Sequence, residues 1–346
     1  MKKRICVIGH FAKGENLLNG QTVKTKIITK ELVKEFGKEQ VETIDTCGGK
    51  KALIKAPFQC LSALKCSDNV IILPAENGLR IFSPLLVLFN VMFRKKLHYI
   101  VIGGWLPHFV KKKKLLSVIL KKFDAIYVET YAMKQELLSC GFSNVYIIPN
   151  CKDLVILAPE ELNRNMQEPY RLCTFSRVMK EKGIEEAVKA VSNINKYIGR
   201  SIVYLDIYGQ VEPTQKEWFE NLRNNFSTNI RYCGKVQYDR STDILKDYYA
   251  LLFPTHYAGE GFAGTLIDAM AAGVPVIASD WKYNSEVIKQ GLNGFLYDLT
   301  DGSLEETILK LLNDKENWVK MKEYSLKEAQ EYIPQNALRA LLNLIK

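Results

Sequence analysis

The chain is 346 residues long, 47% hydrophobic and 25% charged, with a formal net charge of +10, which suits a soluble globular protein of two ordinary domains. No uncharged apolar run reaches the ~18 residues that cross a bilayer: the longest, Ile81 to Phe93, ends at Arg94-Lys95-Lys96 and reads as a buried helix or an in-plane membrane segment, and Ile5 to Ile8 is too short for a secretory signal. Residues 1–155 hold 25 Lys and Arg against 12 Asp and Glu, a net of +13, while the remainder holds 23 against 26, a net of −3, so one half suits an anionic partner.

Lys3 to Gly9 predicts a buried first strand, and a loop with Gly14 and Asn19-Gly20 leads to helical spacing from Thr22 onward. The absence of G-x-G-x-x-G argues against a nicotinamide or flavin dinucleotide. Val41 to Thr46, Asn69 to Leu73 and His98 to Ile102 read as further strands, the last followed by Gly103-Gly104-Trp105-Leu106-Pro107-His108. Lysines cluster at Lys111 to Lys114 and Lys121-Lys122, flanking Leu115 to Leu120. Asp124 to Glu129 and Val145 to Pro149 are strands around a helix from Met133 to Cys140, and a polar linker is expected over Asp153 to Pro169. The expected division is residues 1–155 and 156–334, with a last helix, 335–346, returning to the first domain. The eight cysteines form no C-x-x-C pair, so reduced thiols in a cytoplasmic protein are expected, without a metal site.

The second half opens with a strand, Arg171 to Phe175, a loop, Ser176 to Gly183, and a helix from Ile184. Val203 to Tyr208 ends at Gly209, and Ile230 to Cys233 ends at Gly234-Lys235-Val236. The densest pattern is LLFPTHYAGEGFAGTLIDAMAAGVPVIASD, from Leu251 to Asp280. It predicts a strand, a loop with three glycines, a helix from about Thr265 to Ala272 capped by Gly273, and a second strand. A helix opening at the carboxyl edge of a parallel sheet presents free N–H groups and a positive dipole end, which suits a phosphate. Glu260 in that loop suits hydroxyls, since a carboxylate repels phosphate. A molecule with both groups is a nucleotide sugar. Further on, Glu286 is expected to begin a helix, Asn293-Gly294 a tight turn, and Pro334 a break before a helix from Asn336.

The run EGFAGTLIDAMAAGVPVIASD resembles the hallmark of retaining glycosyltransferases of the GT-B fold, family four, in which Glu-Gly-Phe-Gly precedes a second Glu eight residues after the first. Here Ala263 stands for a usual Gly and Asp268 for the second Glu. Ser176-Arg177-Val178-Met179-Lys180-Glu181-Lys182-Gly183 resembles that family's Gly-Arg-x-x-x-x-Lys-Gly, with Ser176 for the Gly. The resemblance implies two Rossmann-like α/β domains facing a cleft, and sugar transfer from a nucleoside diphosphate sugar to an acceptor hydroxyl. It implies that Arg177 and Lys182 stabilise the leaving diphosphate, that Glu260 orients the donor sugar, and that Asp268 holds the ribose. It also assigns Gly261, Phe262, Ala263, Gly264 and Thr265 to the donor, Gly209, Lys235 and Val236 to the base pocket, and Gly20 to a loop reaching the donor phosphates. His108 is the candidate to face the sugar, with His10 as its rival. No metal or other cofactor is implied; a UDP-sugar is the expected donor, with a GDP-sugar as the alternative.

The expected acceptor is a glycan or lipid-linked glycan in cell-surface polysaccharide or glycolipid synthesis. The lysine clusters suggest peripheral contact with an anionic inner membrane face. Within the same fold the rival activity is nucleotide-sugar epimerisation, for which no acid/base set is identifiable. The rival from another class, a nucleic-acid binder, rests on the basic half alone. It lacks RNP, zinc-finger and helix-turn-helix patterns, so no nucleic-acid partner is expected.

Overall fold

Strands apolar on both faces and separated by helices have one economical arrangement, a parallel sheet covered on each side. The computed structural model, which describes residues 5–12, 20–48 and 50–346, contains two such sheets, in two units. One unit is Met1–Asp153 with Pro334–Lys346; the other is Leu154–Ile333.

The first unit runs β1 (Ile5–Gly9), α1 (Gly20–Phe36), β2 (Val41–Asp45), α2 (Lys50–Cys66), β3 (Asn69–Ile72), α3 (Glu76–Phe93) and β4 (Lys96–Ile100). It continues through α4 (Leu106–Lys112), α5 (Lys114–Leu120), β5 (Ala125–Val128), α6 (Tyr131–Ser139) and β6 (Val145–Ile147). Every pair in its sheet is parallel, in the order β2-β1-β3-β4-β5-β6. The stretch from Ile81 to Phe93 is neither wholly buried nor free. It lies within α3, which begins at Glu76, buries Leu79, Phe82, Ser83 and Leu86, and exposes Leu88, Val91 and Met92.

The second unit runs β7 (Tyr170–Phe175), α7 (Ile184–Ile198), β8 (Val203–Tyr208), α8 (Lys216–Arg223), β9 (Ile230–Gly234), α9 (Ser241–Leu245) and β10 (Ala250–Phe253). Then follow α10 (Gly264–Ala271), β11 (Val276–Ser279), α11 (Asn284–Val287), β12 (Gly294–Tyr297), α12 (Ser303–Asn313) and α13 (Lys315–Ala329). Its sheet is also parallel throughout, in the order β12-β11-β10-β7-β8-β9. α7 buries Ile184, Ala187, Val188, Val191 and Ile194, a stripe at helical spacing, with Glu185 and Glu186 in its first turn and Lys196 in its last.

The helix expected from Glu286 is the single turn α11. The helical run breaks as expected, at the extended Ile333, and the next helix begins not at Asn336 but at Pro334 itself, whose fixed φ suits a first position. The chain there forms α14 (Pro334–Ala337) and α15 (Arg339–Ile345). Their buried Ala337, Leu338, Leu341, Leu342 and Ile345 join the first unit's core beside Ile28, Leu32 and Ile71. All eight cysteines are free thiols. Among the described residues, no helix is long and apolar enough to cross a membrane, and no group of three or more His, Cys, Asp or Glu is arranged to hold a metal ion.

Candidate functional site

In the second sheet the chain winds outward from β7 through β8 to β9, then returns to place β10 on the other side of β7. The crevice outside the carboxyl ends at such a reversal is where open α/β sheets bind ligands. Two loops emerge there, residues 176–183 after β7 and residues 254–263 after β10. They touch because of a glycine. Gly183 has φ +68°, and a Cβ on it would stand 2.0 Å from the Pro254 carbonyl oxygen, so any side chain would separate the loops. Gly209, ending β8, is held as tightly: with φ +140°, its Cβ would lie 1.7 Å from the Ser176 carbonyl oxygen.

This packing brings Lys182 onto Glu260. The ammonium donates to Glu260 Oε2 at 2.5 Å, and both side chains are about nine-tenths buried. The Thr255 hydroxyl donates to the same oxygen at 2.7 Å, and its carbonyl accepts from Ser279 Oγ at 2.6 Å. Lys182 Nζ also sits 5.4 Å from the Phe253 ring centroid and 5.3 Å from that of Tyr257, close enough for cation–π attraction. Burial lowers the Lys182 pKa from its ordinary value; Glu260 opposes that shift and the nearby Arg177 charge adds to it. Arg177 lies toward solvent, 5.9 Å from the Tyr257 ring and paired with Glu212 at 3.1 Å. Two cations therefore flank one aromatic ring, and one of the two is compensated by a buried carboxylate.

α10 opens between these loops. Its N-terminus has no side-chain cap, and Thr265 Oγ1 donates to the Phe175 carbonyl at 2.6 Å, tying the helix to the end of β7. Gly261, Ala263 and Gly264 are half-buried. Asp268 is buried within α10, just past its first turn. Phe262 turns its ring inward against Tyr332, centroids 5.0 Å apart; that ring is an anchor, and what it offers a donor is backbone. Gly209 N–H donates to the Gly234 carbonyl at 2.9 Å, and beyond it Lys235 is exposed and Val236 half-buried.

The candidates in the first unit divide differently. β4 ends at Ile100, and α4 starts at Leu106 with Pro107 in its first turn, so His108 lies on the solvent face of a helix and not at a strand end. His10 follows directly on β1, at the point where that sheet's order reverses. It is half-buried, with Nδ1 2.8 Å from Thr22 Oγ1. Gly20, expected in a loop, is the first residue of α1, and Gln21 donates to the Leu73 carbonyl at 3.1 Å. The preceding Gly14 and Asn19 lie outside the described residues.

Three residues of the site were not expected: Thr255, Tyr257 and Glu212. Phe253, Thr255 and Tyr257 continue the two-residue alternation of β10 past Pro254 onto the same pair of side chains. That periodicity was a readable signal.

Residues 159–328, the body of this unit, match the family model described as Glycosyl transferases group 1. Residues 159–328 are thus a group 1 glycosyltransferase domain. A curated glycosyltransferase of Methanocaldococcus jannaschii, itself uncharacterized, is 29% identical over 215 residues, covering 58% of this chain and 53% of that protein. The GtfA subunit of a UDP-N-acetylglucosamine–peptide N-acetylglucosaminyltransferase of Streptococcus gordonii is 26% identical over 324 residues, 86% of this chain and 60% of that one. The chain thus spans little more than half the length of these two relatives. Among solved structures, Anabaena HepE in complex with UDP superposes with a TM-score of 0.76 over 99% of both chains at 13% identity, which gives this glycosyltransferase the GT-B fold.

Proposed function

We propose that this glycosyltransferase moves a sugar from a UDP-sugar to an acceptor hydroxyl with retention of anomeric configuration and without a metal ion. The observation that carries the reading is the buried Lys182–Glu260 pair, with Arg177 beside it, where the strand order of the second sheet reverses. As the bond between the anomeric carbon and the diphosphate oxygen breaks, negative charge grows on the leaving group. Arg177, Lys182 and the uncapped N-terminus of α10 meet that charge in a partly water-excluded setting, where such donors count most. Glu260 keeps the Lys182 ammonium charged despite its burial and offers its other carboxylate oxygen to a sugar hydroxyl. Asp268 receives the ribose hydroxyls. The proton of the attacking acceptor hydroxyl passes to the departing diphosphate. UDP in complex with HepE, and UDP-N-acetylglucosamine in the name of the streptococcal relative, support uridine as the base. The acceptor proposed is a glycan or lipid-linked glycan at an anionic membrane face.

The test is incubation with a panel of UDP- and GDP-sugars and glycan acceptors, read by mass spectrometry and by the anomeric proton coupling of the product. Transfer from a UDP-sugar with the donor's configuration is the expected result. An inverted product, transfer from GDP-sugars alone, or epimerised donor without transfer would overturn it.

A further inference from the structure

α2 packs on α3, α3 on α5, and α4 on both α5 and α6, so one helical layer covers the first unit's sheet on this side. Its outer surface is unusually apolar. Leu88, Val91, Met92, Leu115 and Val118 are 57% to 80% exposed. Arg80, Pro84, Leu88, Val91 and Met92 recur at helical spacing and form one stripe along α3. The stripe leads into a groove of about 410 Å³ between α3, α4 and α5, with Pro84, Phe109 and Ile119 along it and Arg80 and Lys112 to Lys114 around it.

The cations here are not all alike. Arg80 is paired with Glu76, Lys111 is held by Glu136 at 3.0 Å, Lys95 by Asp68 at 3.0 Å and Lys96 by Asp124 at 2.9 Å. Among the described residues no ion pair engages Lys112, Lys113, Lys114 or Lys122. The segment from Leu106 to Lys122 carries six lysines and no acid. Cations standing directly over exposed hydrocarbon match an amphiphile whose phosphate lies above its acyl chain. A second copy of this face would bring the same lysines against one another, which charge repulsion opposes.

We propose that this face docks on an anionic phospholipid bilayer. Lys112 to Lys114 take headgroup phosphates, while the apolar residues of α3 and α5 enter the boundary between headgroups and acyl chains. The proposal deepens the membrane-borne acceptor reading and rests on it for its purpose, but vesicle binding measured without donor or acceptor tests the surface apart from the chemistry.

The experiment is co-sedimentation of the full chain with vesicles of phosphatidylcholine, with and without phosphatidylglycerol, across salt. Binding should require the anionic lipid and weaken as salt screens it. Lys112→Ser/Lys113→Ser/Lys114→Ser should lower partitioning roughly 100-fold, each cation near the surface contributing about fivefold. Leu115→Ser/Val118→Ser should weaken binding in a way that persists at high salt. Lys216→Ser/Lys315→Ser/Lys327→Ser, which removes the same charge from exposed positions of the second unit, should leave binding unchanged. Circular dichroism checks that each variant is folded, and turnover of a soluble acceptor checks the chemistry independently. Equal binding to neutral and anionic vesicles, no vesicle binding, or equal losses from the two lysine triples would overturn the proposal. So would a dimer in sedimentation velocity that Leu115→Ser/Val118→Ser abolishes.

Discussion

Lys182 and Glu260 are buried together, so each makes the other's charge tolerable. Lys182→Met leaves the Glu260 carboxylate with the Thr255 hydroxyl as its remaining partner among the bonds described, and a broken buried pair costs about 3–5 kcal/mol. Glu260→Gln strands an ammonium whose pKa burial already lowers. Without the carboxylate that pKa falls further, so the cost is full below the new folded value and is relieved as pH rises above it toward the unfolded one. Each single variant should therefore lose about 3 kcal/mol of unfolding free energy at pH 7, with the Glu260→Gln deficit shrinking toward pH 10. Lys182→Met/Glu260→Gln removes both charges and should lose only about 1 kcal/mol, since neutral replacement of a buried pair is nearly free. Transfer should behave otherwise: kcat/KM falls about 100- to 1000-fold in each single variant, and the double variant recovers none of it. Urea unfolding and donor turnover on the same three proteins decide the matter. Additive stability losses, or activity restored in the double variant, would refute the view that one pair serves both fold and chemistry.

Arg177→Ala should lower kcat/KM at least ~100-fold yet shift unfolding by less than about 1 kcal/mol, because its pair with Glu212 is solvent-exposed on the arginine side; near-wild-type turnover would remove it from the site. Incubation with EDTA should leave transfer intact, since Arg177, Lys182 and the start of α10 supply the positive charge; loss restored by magnesium or manganese would contradict this. Asp268→Asn should weaken calorimetric binding of UDP itself, while Glu260→Gln acts mainly on the intact UDP-sugar; equal effects on both ligands would sink the division of roles. Lys322 lies fully buried 4.6 Å from the Trp318 ring centroid, and its Nζ has no hydrogen-bond partner among the described residues. Burial pushes its pKa down from 10.5 to about 8, so its charge costs stability fully below pH 8 and progressively less up to about 10.5. Lys322→Met should accordingly gain about 3 kcal/mol at pH 7, a gain that fades by pH 10.5; a pH-independent gain would point to packing alone.

Much of the second unit was legible because its strands are short, apolar and bounded by glycine, and because the loops that matter follow strands directly. Glu260, Arg177 and Lys182 could be named from such positions. Their mutual arrangement could not: the contact between Lys182 and Glu260 depends on two loops meeting at Gly183 and Pro254, and a residue's spacing in sequence carries no information about a neighbour 78 positions away. His108 shows the opposite failure. Leu106-Pro107 was readable as a helix start, and leaving residues 103–108 as a plain continuation of the strand His98 to Ile102 put the histidine at a sheet edge that β4 leaves at Ile100. The lysine run shows a third limit, since sequence alone cannot separate Lys111, which is neutralised by Glu136, from the three lysines after it.

The return of residues 334–346 to the first unit bears on how the chain is made. Ala337, Leu338, Leu341, Leu342 and Ile345 complete a core whose other members, such as Ile5 and Ile28, leave the ribosome far earlier. At ~5–20 residues per second, the intervening unit takes roughly 10–40 s to synthesise. Throughout that interval the first unit has an open apolar seam, and the second gains its last strand, β12, before residues 334–346 are made. The later-made unit is therefore the first able to finish folding, and the earlier-made one must wait for the last residues of the chain to close its core.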